Sequence, residues 1–140
     1  MADVEGYKLP DELYYHKEHM WVKKEGDILR IGLDDFTQKL AGELSYIELP
    51  EAGSEVSKDE VVGSYETGKW MGKIYAPVSG EILEVNEELE DEPSLINEDP
   101  YGKGWIFTLK PSNPDELAQL MQKDKAIEWL KQEIEKHAKK

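Results

Sequence analysis

Up to residue 111 the chain sets its apolar residues in short runs, each closed by glycine, proline or acidic turn residues. That is the pattern of many short strands. Residues 1–13 show no such run and are expected to form a loose arm. Met20-Trp21-Val22 and residues 28–33 are two apolar runs separated by Glu25-Gly26-Asp27, a hairpin signal. Asp34-Asp35 then caps a short helix over residues 36–40, which Gly42 closes. Residues 44–49 read as a strand and Pro50-Glu51-Ala52-Gly53 as a turn. Residues 54–64 carry Val56, Val61 and Val62 as a further strand, bent at Lys58-Asp59.

The pattern is organised around Glu66-Thr67-Gly68-Lys69-Trp70-Met71-Gly72. Strand-like residues 60–66 and 73–78 flank it, which predicts a β-hairpin with Lys69 at its tip. Gly68 and Gly72 are expected to supply the positive φ angles of a tight reversal. A lysine so placed points its amine away from the body, where no core can hide it. Such an amine suits chemistry done to it, acylation above all, better than chemistry done by it.

Beyond the hairpin, Ser79-Gly80 predicts another reversal, and Ile82, Leu83 and Val85 the apolar side of another strand. Residues 86–104 form an acidic connection with one helical turn around residues 93–96. Asp99-Pro100-Tyr101-Gly102 is a turn, and residues 105–109 the last strand. The period then changes. Ser112 or Asn113 caps a helix that opens on Pro114 and carries Leu117, Leu120 and Met121 on one face. Asp124 restarts a second helix, with Ile127, Leu130 and Ile134 at spacings of three and four and Trp129 beside them. The class is α+β with β dominant: an N-terminal arm over 1–13, a β domain over 14–111 and a helical extension over 112–140. The turn-flanked halves around Lys69, with Gly53 before and Gly80 after, point to a pseudo-symmetric sandwich.

Composition narrows the function. The 140 residues include 31 acidic and 17 basic side chains, for a net charge of −14. That balance disfavours nucleic acid and anionic membranes as partners, because phosphate surfaces demand basic patches. There is no cysteine, so the polypeptide offers no disulfide, thiolate nucleophile or Cys-based metal site. Any sulfur chemistry must be brought by a cofactor. Residues 1–9 are acidic and polar, unlike a targeting peptide, and no window has transmembrane length, so a cytoplasmic protein is expected. His16 and His19 lack a third metal ligand in a matching pattern and are read as surface or packing residues. His137 lies in a charged tail and is assigned no role. No histidine stands beside an identifiable nucleophile, so the chain is not expected to be an enzyme.

Read in order, the residues resemble the H proteins of the glycine cleavage system, a lipoyl-carrier family. The matching stretches are Tyr46-Ile47-Glu48-Leu49-Pro50, Gly53 with Val56, Glu66-Thr67-Gly68-Lys69 and Tyr75-Ala76-Pro77-Val78-Ser79-Gly80-Glu81. Val85-Asn86, Leu95-Ile96-Asn97, Asp99-Pro100-Tyr101-Gly102, Gly104-Trp105 and Pro111 with Asp115-Glu116-Leu117 continue the match, which covers about residues 14–122. The resemblance implies a barrel–sandwich hybrid, a lipoyl-type domain, with lipoate in amide linkage to Lys69. It implies a carrier acted on by others: a lipoate-attaching enzyme, a pyridoxal-phosphate glycine decarboxylase, a folate-dependent aminomethyltransferase and a flavin dihydrolipoyl dehydrogenase. Glu66 serves either recognition by the attaching enzyme or as an ordinary strand-end charge. Gly68 supports the hairpin, and Gly53 and Gly80 serve as turn-formers or recognition elements.

Three departures bear on the cargo. Met20 stands where the family has glutamate, Phe36 where some members have histidine, and Trp70-Met71-Gly72-Lys73 where small residues and an acid are usual. The cleft that receives the arm is expected to draw on Met20, Phe36, Trp70, Met71 and Lys73. Trp70 and Met71 form either a docking patch or packing under the hairpin. A cation would lose attraction at residue 20 and meet Lys73 as a like charge. Two cargoes therefore compete: the aminomethyl group of glycine cleavage, or sulfur in an H-like lipoate-binding carrier serving a heterodisulfide-reductase-like sulfur-oxidation pathway.

Overall fold

The structure is a computed structural model and describes residues 2–138. The chain opens with β1 (Ala2–Val4), β2 (Tyr7–Leu9), β3 (Tyr14–Tyr15), β4 (Met20–Glu25) and β5 (Ile28–Leu33), then α1 (Asp35–Ala41). It continues through β6 (Leu44–Glu48), β7 (Glu55–Val56), β8 (Val61–Thr67), β9 (Met71–Tyr75) and β10 (Gly80–Val85). Two single turns, α2 (Glu88–Asp91) and α3 (Leu95–Glu98), precede β11 (Phe107–Pro111). A 3-10 turn, Pro114–Gln119, and α4 (Lys123–Ala138) end it. The acidic connection thus holds two helical turns where one was expected.

Six strands pair antiparallel in the order β3-β4-β5-β11-β10-β7, and three more in the order β6-β8-β9. The two sheets enclose the main core, where Met20, Val22, Ile31 and Phe107 meet Ile47, Tyr65 and Ile74. A loose arm was expected over residues 1–13, but from Ala2 on the segment is packed: β1 and β2 form a hairpin, and Val4, Leu9 and Leu13 are buried. They join Tyr15, Trp21 and Phe36 with Ala126 and Leu130 of α4 in a second core. Strand β4 runs between the two cores, so both of its faces are apolar. Met20 and Val22 turn to the first core, and Trp21 to the second. Its indole lies against Gly32, where a Cβ would come within 2.7 Å of the ring.

Local chemistry sets the turns. The expected hairpin at residues 25–27 forms, with Glu25 opposite Ile28 and Gly26 at φ +65°. Asp34 caps α1 by accepting from the Thr37 N–H at 2.9 Å, and Gly42 ends it at φ +91°. Gly53 is a turn glycine at φ +88°. Gly80 is not in a reversal: it opens β10, and its lack of a side chain admits the Lys110 carbonyl, 2.2 Å from where a Cβ would stand. Backbone approach, not turn geometry, selects glycine there.

Candidate functional site

The β8–β9 hairpin closes on a two-residue loop, Gly68-Lys69. Glu66 pairs with Met71, and the Thr67 N–H donates to the Trp70 carbonyl at 2.9 Å. Neither Gly68 nor Gly72 has positive φ, contrary to expectation. The tip is fixed by side chains instead. Thr67 Oγ1 donates to the Ala41 carbonyl at 2.7 Å and accepts from the Lys69 N–H at 3.2 Å, tying the loop to the end of α1. Gly72 answers a packing need: a Cβ there would lie 2.2 Å from Cζ of Tyr65, a buried ring whose phenol burial pushes up to about 12.

Asn97, on α3, holds the ground under the tip. Its Oδ1 accepts from the Leu44 N–H at 2.9 Å, and its Nδ2 donates to the Gly42 carbonyl at 2.8 Å. The α1–β6 turn is thereby anchored from a segment some fifty positions away, a role that no local pattern reveals. Lys69 is exposed, with its side chain lying along the α1–β6 turn: Cε is 3.4 Å from where a Cβ on Gly42 would stand. Among the described residues no carboxylate or carbonyl pairs with its ammonium.

Beside the tip runs a groove of about 380 Å³ between β9, α1 and the last turns of α4. Phe36, Trp70, Met71 and Lys73, singled out from the sequence, line it. Met20 does not: its side chain is wholly inside the first core. Strand alternation explains the correction, since residue 20 faces inward while Glu18 and His19, on the turn before β4, reach the groove. Glu133 and His137 of α4 complete its far wall. The groove therefore holds two carboxylates that the departures at residues 20 and 73 did not foretell, together with Lys17 and Lys136. Trp70 and Met71 remain exposed, at 43% and 77%.

His19 is the residue that sequence reading undervalued. It adopts φ +68°, and its Nδ1 lies 2.8 Å from Asp34 Oδ2 and its Nε2 2.9 Å from Glu133 Oε1. Carboxylates only accept, so a ring that satisfies both must carry hydrogen on both nitrogens. Burial opposes that charge, but the field of Asp34 and the hydrogen bonds to Asp34 and Glu133 outweigh it and raise the pKa. The ring is also flanked by Phe36 and Trp129, at 5.0 and 4.6 Å between centroids. His16 differs. Its Nδ1 accepts from the Glu18 N–H at 3.2 Å, so Nε2 donates to Asp59, and burial lowers its pKa. Among the described residues no group of three or more metal-ligating side chains converges.

Of the other residues singled out from the sequence, Glu66 stands on the hairpin beside the tip. Gly53 and Gly80 lie apart from tip and groove, where β10 meets β7: the Gly53 N–H donates to Ile82, and Gly80 pairs with Val56.

Comparison with known proteins gives concordant results. The family model described as glycine cleavage H-protein matches residues 13–133. A glycine cleavage system H protein of Halalkalibacterium halodurans is 48% identical over 125 residues, covering 89% of this chain and 98% of the relative. A probable glycine cleavage system H protein of Pyrococcus horikoshii is 50% identical over 134 residues, covering 94% of this chain and 98% of the relative. The crystal structure of a glycine cleavage system H protein from Mycobacterium marinum superposes with a TM-score of 0.71 at 32% identity. It covers 79% of this chain and 97% of that one. The fold is thus the mainly β barrel–sandwich hybrid expected. Nothing in these relatives supports the sulfur-oxidation alternative.

Proposed function

The chain belongs to the glycine cleavage H-protein family, and on that premise we propose that it is a lipoyl swinging-arm carrier with lipoate in amide linkage to Lys69. The observation that carries this reading is an exposed lysine, its ammonium unpaired among the described residues, on a two-residue loop that Thr67 ties to the end of α1. The surroundings fit the group. Phe36, Trp70 and Met71 give the neighbouring groove an apolar side suited to a hydrocarbon chain and a dithiolane. Bound lipoate supplies a redox-active disulfide able to take up the aminomethyl group of glycine.

The protein's own contribution is placement. The hairpin keeps the tether's origin fixed, so whatever Lys69 bears is presented at high effective concentration to each partner. Glu18 and Glu133 line the groove, but so do Lys17, Lys73 and Lys136, and Glu133 is held by His19, so the aminomethyl cargo rests on the family and not on the charge of the groove. A lipoate-attaching enzyme, glycine decarboxylase, aminomethyltransferase and dihydrolipoyl dehydrogenase are the partners this reading requires, with residence in the cytoplasm. The chain is their substrate and not itself a catalyst. No helix among the described residues is long and apolar enough to cross a membrane.

Intact mass and peptide mapping after incubation with lipoate, ATP and a lipoate–protein ligase test the attachment. One lipoyl increment is expected on Lys69 and none in Lys69→Arg. A bare Lys69, or modification at Lys73 in its place, refutes it. Glycine–bicarbonate exchange with the lipoylated protein and its decarboxylase then tests the cargo; no exchange would overturn the glycine assignment.

A further inference from the structure

The large hydrophobic side chains exposed among the described residues are Tyr46, Val61, Trp70 and Met71, and all belong to the β6-β8-β9 sheet and its tip. Register sets two of them in one row: Tyr46 is opposite Glu66, and Glu66 is opposite Met71. Residues opposite one another across paired strands project to the same side. The neighbouring row, Ile47, Tyr65 and Gly72, turns to the core. The next, Glu48, Ser64 and Lys73, turns outward again. Tyr46 is 52% exposed and Met71 77%. Clustered exposed apolar side chains of this kind mark interaction sites, and tyrosine is a preferred anchor in them.

We propose that this outer sheet face, centred on Tyr46 and Met71 and flanked by Glu48 and Glu66, is the docking surface of the enzyme that acylates Lys69. That enzyme meets it with an apolar socket rimmed by lysine or arginine. The inference rests on the carrier reading. Reach selects the occupant. Enzymes acting on the far end of a loaded arm work a lysine side chain and an acyl chain away from the sheet. The acylating enzyme must act at Nζ itself. There the deprotonated amine attacks the carbonyl carbon of a lipoyl adenylate, AMP leaves with the bonding pair, and the proton released from nitrogen passes to solvent. An enzyme seated closely enough for that step covers Glu66 and Met71, the last strand pair before the loop. Charge selects the rim: two glutamates against Lys73 on the face, in a chain of net charge −14.

Steady-state acylation of the full chain by a lipoate–protein ligase, with lipoate and ATP, tests this. Tyr46→Ser combined with Met71→Ser is expected to raise KM about tenfold or more with kcat within about twofold. Glu48→Lys is expected to raise KM, and Asp27→Lys, an equal charge change on the exposed β4–β5 turn, to leave it unchanged. Circular dichroism confirms that the surface variants fold. An unchanged KM in the double variant overturns the proposal, as does an equal effect of Asp27→Lys. Impairment of pre-lipoylated Tyr46→Ser in glycine exchange equal to its impairment in acylation overturns the assignment to the acylating enzyme, since Tyr46 lies outside the groove. In each of these cases the wild type is still acylated at Lys69; a wild type left bare there overturns the carrier reading and this docking surface with it.

Discussion

Residue 20 shows how one side chain's meaning depends on which way its strand faces. A glutamate there would not reach the groove, because Met20 is enclosed between the sheets. It would instead place a carboxylate among Val22, Ile31 and their neighbours with no cation to pair. Met20→Glu is therefore expected to destabilise the fold by about 3–5 kcal/mol, read as a lower urea midpoint. A variant as stable as the wild type would show that residue 20 can turn outward. Lys69 and Gly72 were legible at this scale only in part. The protruding lysine follows from the hairpin signal around it, but the reason for Gly72 is the Tyr65 ring on the facing strand.

At the scale of elements, α4 is the piece whose position matters most to the groove. Ala126 and Leu130 seat it on the second core, and Glu133 clasps His19, whose other nitrogen holds Asp34, the N-cap of α1. One imidazolium thus joins the start of α1 to the far wall of the groove. Its folded pKa lies above the ordinary 6.5. The clasp's contribution is therefore fully present below about 6.5 and fades as the pH rises through the higher folded value. A neutral ring can donate to only one carboxylate, and the more exposed Glu133 is the one released. His19→Asn tolerates the positive φ but cannot reach Glu133. The stability difference between wild type and His19→Asn is expected to shrink as the pH rises above about 6.5, measured by urea unfolding. A pH-independent difference would contradict the charged clasp. The opposite shift of His16 is common to both proteins and cancels.

At the scale of the whole molecule, a net charge of −14 is the dominant electrostatic fact. The ion pairs among the described residues, such as Arg30 with Glu25 and Lys39 with Asp35, engage only a fraction of the acids. The folded state therefore concentrates like charges, and salt should relieve it. Raising ionic strength from about 0.01 M to 0.15 M shortens the Debye length from roughly 30 to 8 Å. The Tm is expected to rise by a few degrees in differential scanning calorimetry, where ~1 kcal/mol is worth about 2–8 °C; a fall would mean that attractive pairs dominate.

What the sequence determined by itself was everything set by neighbours in the chain. The turn at residues 25–27, the Asp34 cap, the Gly42 stop, the Lys69 hairpin and the absence of thiol chemistry all follow from periodicity, turn chemistry and composition, which act over a few residues. Tertiary structure decided what those elements meet. It packed residues 2–13 beside α4, placed Gly80 at the start of a strand, buried Met20 and brought Glu133 to His19 across 114 positions. A side chain's period is written locally, but its neighbours are chosen by packing two cores at once, and that choice involves the whole chain.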